Sequence, residues 1–178
     1  MDLISLPAWS RERLLHVVVE TPRGAGVKVK LDPDLGAFTV SRPLPAGMVY
    51  PYDFGFVPGT RAPDGDPLDA MVYWDVGSWP GVVLECRVLG VLLCDQAGQK
   101  KRRERNDRLL VVPDTAERSQ QLKSALRLER RVREELESFF LASTALEGKD
   151  LNILGWRGPA EAKRVIAAAS LLPSAKRS

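Results

Sequence analysis

The residues best suited to chemistry are Asp64-Gly65-Asp66-Pro67-Leu68-Asp69, three carboxylates at spacings of two and three on a segment stiffened by Gly and Pro. Carboxylates this close repel one another, and a hard divalent cation relieves the repulsion. Mg²⁺ binds in this way, through a few carboxylates, several waters and the phosphate oxygens of a substrate. Taken alone, the hexamer also reads as a turn with solvated aspartates. Upstream lie Glu20, Lys28, Arg42 and Tyr50, each on or beside an expected strand or the loop that leads to the hexamer. The two cations and the phenol are the groups that grip phosphate, and Glu20 adds a fourth carboxylate.

These side chains must be positioned by β-structure. Short runs of Val, Leu, Phe and Thr, separated by Gly and Pro, extend from Leu14 to Trp74. Strands are expected at 14–20, 27–31 and 36–41, with Asp32-Pro33-Asp34-Leu35-Gly36 as the turn of a hairpin. Pro at 43, 45, 51, 58, 63 and 67, with Gly at 47, 55, 59 and 65, predicts that 43–69 is ordered loop without regular structure. A loop that long in a compact domain is usually functional. Residues 81–93 read as a long strand bent at Gly90, and 108–113 as its hairpin partner.

After Pro113 the period changes to that of a helix. Leu122, Ala125, Leu126, Val132, Leu136, Phe139 and Phe140 fall on one stripe, which predicts one long amphipathic helix. A strand at 151–156 and a second helix, from Gly158-Pro159 to about Leu172, follow. Residues 173–178 are expected to fray. Short strands followed by helices give a mainly antiparallel barrel with helices outside, a mainly β / α+β class.

At 178 residues with 44% hydrophobic content, the chain is expected to form a single domain with its core between about 14 and 170. It has no apolar run long enough to cross a membrane and no secretory leader, so a soluble cytoplasmic protein is expected. Cys86 and Cys94 lack metal-site spacing and are expected to be buried. The single histidine, His16, cannot anchor a zinc site, and its isolation disfavours Ser-His or Cys-His catalysis. A net charge of +3 favours anionic ligands without pointing to nucleic acid, whose backbone a carboxylate-lined mouth would repel. Trp74, Trp79 and Trp156 are expected in the core or at a subunit interface. Arg127, Arg130, Arg131 and Arg133 alternate with glutamates on one helix and read as a salt-bridged exposed face.

Taken together, order and spacing resemble the soluble family I inorganic pyrophosphatases. The resemblance is carried by Glu20-Thr21-Pro22, Lys28, Arg42, Tyr50-Pro51-Tyr52-Asp53-Phe54-Gly55 and the acidic hexamer. It continues through Gly90-Val91-Leu92, Asp95, Asn106-Asp107-Arg108, Val112-Pro113, Phe139-Phe140 and Gly155-Trp156, roughly residues 14 to 170. It implies an OB-like five-stranded antiparallel barrel with two C-terminal helices packed outside, Mg²⁺ at its mouth and inorganic diphosphate as substrate. Asp64, Asp69 and Asp95 would then be metal ligands with Glu20 at the rim, and Asp66 would orient or deprotonate the attacking water. Lys28, Arg42, Tyr50 and Arg108 would bind and orient the phosphates. A homo-oligomer, trimer or hexamer, is also implied.

The chain departs from the family pattern at several of these positions. Lys30 stands where the family has Glu, Phe54 where it has a second Tyr, Gln96 where it has Glu, and Asn106 where it has Asp. Asp107 is the candidate to replace the carboxylate lost at Asn106. Ser143-Thr144 stands in place of a Tyr-Lys pair that holds phosphate, and the basic tip 99–105 reads as a solvated loop, with a phosphate ligand or lid as the alternative. These departures leave two other readings open: a pyrophosphatase-fold scaffold or regulatory protein without catalysis, and a hydrolase of a larger nucleotide or organic diphosphate.

Overall fold

The computed structural model describes residues 2–98 and 102–171, apart from the side chain of Arg118. The tail 173–178 and the outer part of the basic tip, 99–101, lie outside the described residues. In chain order the strands are β1 (Leu15–Thr21), β2 (Val27–Asp32), β3 (Ala37–Pro43), β4 (Asp53–Val57), β5 (Leu68–Val72), β6 (Val83–Ala97), β7 (Arg103–Arg105), β8 (Arg108–Pro113) and β9 (Asn152–Arg157). The α-helices are α1 (Arg130–Ala145) and α2 (Pro159–Ala169).

Five strands close on themselves. β1 pairs with β4, β4 with β5, β5 with β8, β8 with β6, and β6 with β1 again. All these pairings are antiparallel except β5 with β8. β7 and β9 extend the ring from β6, and β2 with β3 forms a separate two-stranded sheet. This is the mainly β / α+β, OB-like arrangement expected, with one parallel seam.

The alternation of side chains along each strand produces two cores. On β8, Leu109 and Val111 join Val17, Val57, Val72 and Cys86, which Ala162 and Ile166 of α2 cover. The intervening Leu110 and Val112 pack with Phe54, Met71 and Leu92 beneath Leu136, Phe139 and Phe140 of α1. Cys86 and Cys94 are free thiols, both buried. No helix among the described residues is long and apolar enough to cross a membrane.

Two of the expected elements are corrected. Segment 43–69 is not all loop: β4 lies within it and β5 begins at Leu68. Pro51 and Pro58 flank residues 53–57 rather than interrupt them, and all five are buried between β1 and β5. Gly55 is required in β4 because a Cβ there would overlap the carbonyl oxygen of Val18.

The expected long helix is the second correction. Ala125–Arg127 is a separate 3₁₀ turn capped by the Ser124 hydroxyl, and the chain is extended at Leu128 before α1 starts. The cause is packing. Ala125 seats directly on Gly90 of β6, where a Cβ would collide with it, and β6 shifts register between Val88 and Gly90. Helical periodicity in the sequence thus conceals a break imposed by the strand below. α1 runs on to Ala145, which places Ser143 and Thr144 in its last turns.

Candidate active site

The separate sheet of β2 and β3 delivers the basic residues. Lys28 and Arg42 are register partners across it, so both cations are carried by one hairpin. Lys28 Nζ lies 5.9 Å from the centre of the Phe54 ring, and burial lowers its pKa, opposed by the Asp69 carboxylate. Arg42 is ion-paired with Glu147, just beyond α1. Tyr50 is 3% exposed and packs edge-on against Phe139 at 5.0 Å. Burial pushes its phenol pKa well above the usual value, so its hydroxyl stays protonated as a donor.

The hexamer lies on the connection from β4 to β5. Gly65, at φ +92°, supplies the left-handed turn, and Ala62 N donates to Asp66 O at 2.7 Å. Asp66 N in turn donates to Asp64 Oδ1 at 3.2 Å. Asp69, on β5, is ion-paired with Arg108 of the parallel neighbour β8 at 2.8 Å, and the two residues are directly opposite in register. Arg108 is almost fully buried, with its guanidinium 5.8 Å from the centre of the Phe140 ring.

Glu20, Lys30, Asp66 and Asp69 line one cavity of about 110 Å³, with Ile4, Phe56 and Pro67 among its apolar walls. Glu20 Oε1 accepts from Leu31 N at 2.8 Å. Burial, with the Asp69 carboxylate, still pushes its pKa up to about 7. Burial also raises the pKa of Asp64, helped by Asp69 and Asp66. Both shifts come first from burial, and the neighbouring carboxylates add to it. Every donor is a hard oxygen, so the set suits a hard divalent metal. Asp66 and Asp69 each already hold a tethered cation, and among the described residues no three Asp, Glu, His or Cys groups converge into a closed metal cage.

Asp95 and Asp107 are not brought to this cavity. Asp95 is bound by Arg103 at 2.5 Å. Asp107 accepts from Cys94 N at 3.0 Å and from Arg105 at 2.7 Å, and it lines a different hollow of about 660 Å³ beside α2. The reason is the period of two: Arg108 faces Asp69, so its neighbour Asp107 turns the other way. Asn106 bonds the Arg108 guanidinium instead. In the described part of the basic tip, Arg103 and Arg105 therefore neutralise Asp95 and Asp107 rather than close over Asp66.

Ser143 and Thr144 are buried, and their hydroxyls donate to the Phe140 carbonyl oxygen at 3.1 and 2.8 Å, within the helix. Neither reaches toward a ligand. Sequence reasoning missed the neighbours that do gather at that end, Glu147 and Lys149, paired at 3.0 Å. Lys149 is close enough to Lys28 to lower its pKa further, and Glu147 holds Arg42. Their signal was the acid–Gly–base sequence Glu147-Gly148-Lys149 directly after the helix.

A sequence model of the family described as inorganic pyrophosphatase matches residues 17–171. The chain belongs to the inorganic pyrophosphatase family. The inorganic pyrophosphatase of Thermus thermophilus is 39% identical over 162 residues, covering 88% of this chain and 89% of that protein. That of a Synechocystis species is 38% identical over 157 residues, covering 88% and 90%. The fold agrees as well. The crystal structure of the Thermus thermophilus inorganic pyrophosphatase superposes with a TM-score of 0.86 at 36% identity, over 95% of this chain and 97% of that one. The Coxiella burnetii inorganic pyrophosphatase gives 0.82 at 32% identity, over 92% and 97%.

Proposed function

We propose that this pyrophosphatase-family chain hydrolyses inorganic diphosphate to two phosphates, as one domain, with Mg²⁺ as its divalent metal. The observation that carries the reading is the convergence of Glu20, Asp64, Asp66 and Asp69 with Lys28 and Arg108 at one face of the ring. Asp64, Asp69 and Glu20 would hold the metal, which supplies positive charge to the diphosphate oxygens and makes water more acidic. Asp95 and Asp107 are weaker candidates for that role, because each is turned to an arginine.

Asp66 accepts the proton of the attacking water at Oδ1, since Oδ2 is given to Lys30. Water oxygen forms a bond to one phosphorus, the bridging P–O bond breaks, and the bridging oxygen leaves with the second phosphate. Lys28, Arg42 and Arg108 neutralise charge on the departing group, and Tyr50 donates from a hydroxyl that does not ionise. Stabilisation of that charge is the main contribution a protein makes to phosphoryl transfer. Lys149 is placed to supply part of the phosphate grip for which Ser143 and Thr144 are unsuited.

The scaffold and larger-substrate readings are not favoured. The relatives that match along most of the chain carry the name inorganic pyrophosphatase, and the cavity against Asp66 is small. Two free buried thiols support a cytoplasmic setting. Exposed Trp79, at 72%, and Leu146, at 83%, support self-association as a trimer or hexamer.

The test is phosphate release from inorganic diphosphate by purified protein, with and without millimolar Mg²⁺, alongside Asp66→Asn. Mg²⁺-dependent release that falls by about 10²–10⁴-fold in the variant is expected, the range for loss of a positioned acid or base. Release by Asp66→Asn at the original rate would sink the role given to Asp66, and no release from the native protein would sink the activity.

A further inference from the structure

We propose that Lys30 is a built-in cation of the acidic cavity, holding the place of a divalent ion at Asp66 and competing with metal for that carboxylate. The inference rests on the metal-dependent reading above and concerns how the same site is loaded. Its ammonium lies 2.9 Å from Asp66 Oδ2, and the cavity it enters is lined by two further carboxylates, Glu20 and Asp69. Lys30 arrives from β2, an element outside the ring, and crosses to a carboxylate on the β4–β5 connection. Nothing in the local hairpin requires that contact. The opposing residue on β3 is Thr39, so the charge partner of Lys30 is the cavity itself.

Three other carboxylates of the candidate set follow the same pattern. Asp69 holds Arg108 at 2.8 Å, Asp95 holds Arg103 and Asp107 holds Arg105. Of these cations, Lys30 is the one that shares a cavity with Glu20, Asp66 and Asp69. A tethered monovalent charge there has two effects. It keeps Asp66 from being claimed as a metal ligand, which leaves that carboxylate available as a base. It also repels a divalent ion approaching Glu20 and Asp69, so the site takes up metal less tightly than its carboxylates alone would.

The experiment is calorimetric titration of Mg²⁺ into substrate-free, full-length protein, comparing the native chain with Lys30→Gln and Lys30→Arg. Lys30→Gln is expected to bind Mg²⁺ about tenfold or more tightly, the effect of removing one unit charge a few ångströms from a divalent ion even in a water-like dielectric. Lys30→Arg, which keeps the charge, is expected to bind as the native chain does. The Lys30 and Asp66 side chains are 40% and 63% exposed, so loss of their pair costs stability little and both variants fold. Lys30→Gln binding no more tightly than the native chain overturns the proposal, and so does a gain of equal size in Lys30→Arg. The readout is metal uptake and not phosphate release, so a protein that fails to hydrolyse diphosphate but shows the tenfold difference keeps this inference and loses the activity.

Discussion

Asp53 opens β4 and Asp66 lies on the connection that follows the same strand, yet their surroundings differ in every respect that decides function. Asp53 is wholly buried. Its oxygens accept from Arg23 N at 2.7 Å, Ser78 N at 2.9 Å, Ser78 Oγ at 2.8 Å and Trp74 Nε1 at 3.2 Å. A carboxylate has about four lone-pair sites, and four donors are directed at this one, three at Oδ2 and one at Oδ1. Asp66 is mostly exposed, with Oδ2 given to a single tethered cation and Oδ1 left over. The first carboxylate ties the loop 73–80 and the start of β2's approach to the ring, and has nothing left for a ligand. The second has capacity to spare. Saturation of lone pairs, more than the residue type, separates a structural acid from a chemical one.

The sharpest way to break this comparison is Asp53→Ala. Removing the acceptor strands four part-buried donors, at about 1–3 kcal/mol for each that water does not reach, so a loss of about 2–4 kcal/mol is expected. Urea unfolding measures it, and Trp74, which donates to Asp53, gives a fluorescence signal for the same transition. A loss under about 1 kcal/mol would mean that Asp53 is not the saturated hub its contacts describe.

Glu20 stands between the two extremes, buried like Asp53 but with one donor, Leu31 N, and a carboxylate neighbour. Its pKa rises from 4.5 to about 7 on folding, so across that window the folded chain binds more protons than the unfolded one. Stability conferred by the protonated form is therefore complete below about 4.5 and is lost as pH rises through about 7. In metal-free protein the loss is on the order of 2–3 kcal/mol, because a tenfold change in proton affinity corresponds to about 1.4 kcal/mol. Unfolding measured at pH 5 and pH 8 for native chain and Glu20→Gln checks it: the variant should lack this part of the slope, and Mg²⁺ should restore native stability at pH 8. Equal slopes in the two proteins would remove Glu20 from the set of strained carboxylates.

How much of this was legible in the sequence depends on whether a residue's role is fixed by neighbours along the chain or across it. The acidic hexamer, Lys28 and Arg42 were singled out from residue types and spacing along the chain, and of the expected strands 27–31 follows from alternation and 108–113 from a short apolar run. β4 was hidden because Pro51 and Pro58 punctuate it from outside while its support comes from β1 and β5, both distant in sequence. The break before α1 was hidden because it is made by Gly90 on another element. Asp53 was read only as an unspecified position inside a motif, and its partners are 21 to 30 residues away. Asp107 was misplaced for a simpler reason: a one-residue shift in a strand reverses the facing, and no local signal distinguishes Asn106 from Asp107 as the inward side chain.

The mildest effect expected is also the one that most sharpens the contrast. Asp66→Asn removes a charge whose one side-chain partner, Lys30, is 40% exposed and stays solvated without it. The amide keeps an oxygen for Lys30 to donate to, and the backbone contacts of Asp66 to Ala62 and Asp64 do not involve the altered group. Exposed pairs of this kind contribute about 0–1 kcal/mol, so the unfolding free energy should change by less than about 1 kcal/mol. The same urea titration used for Asp53→Ala measures it. A loss as large as that of Asp53→Ala would place Asp66 among the structural carboxylates, and its effect on phosphate release would then report unfolding rather than chemistry. A small change, beside a rate that falls by orders of magnitude, separates the carboxylate that builds the ring from the one that acts at its mouth.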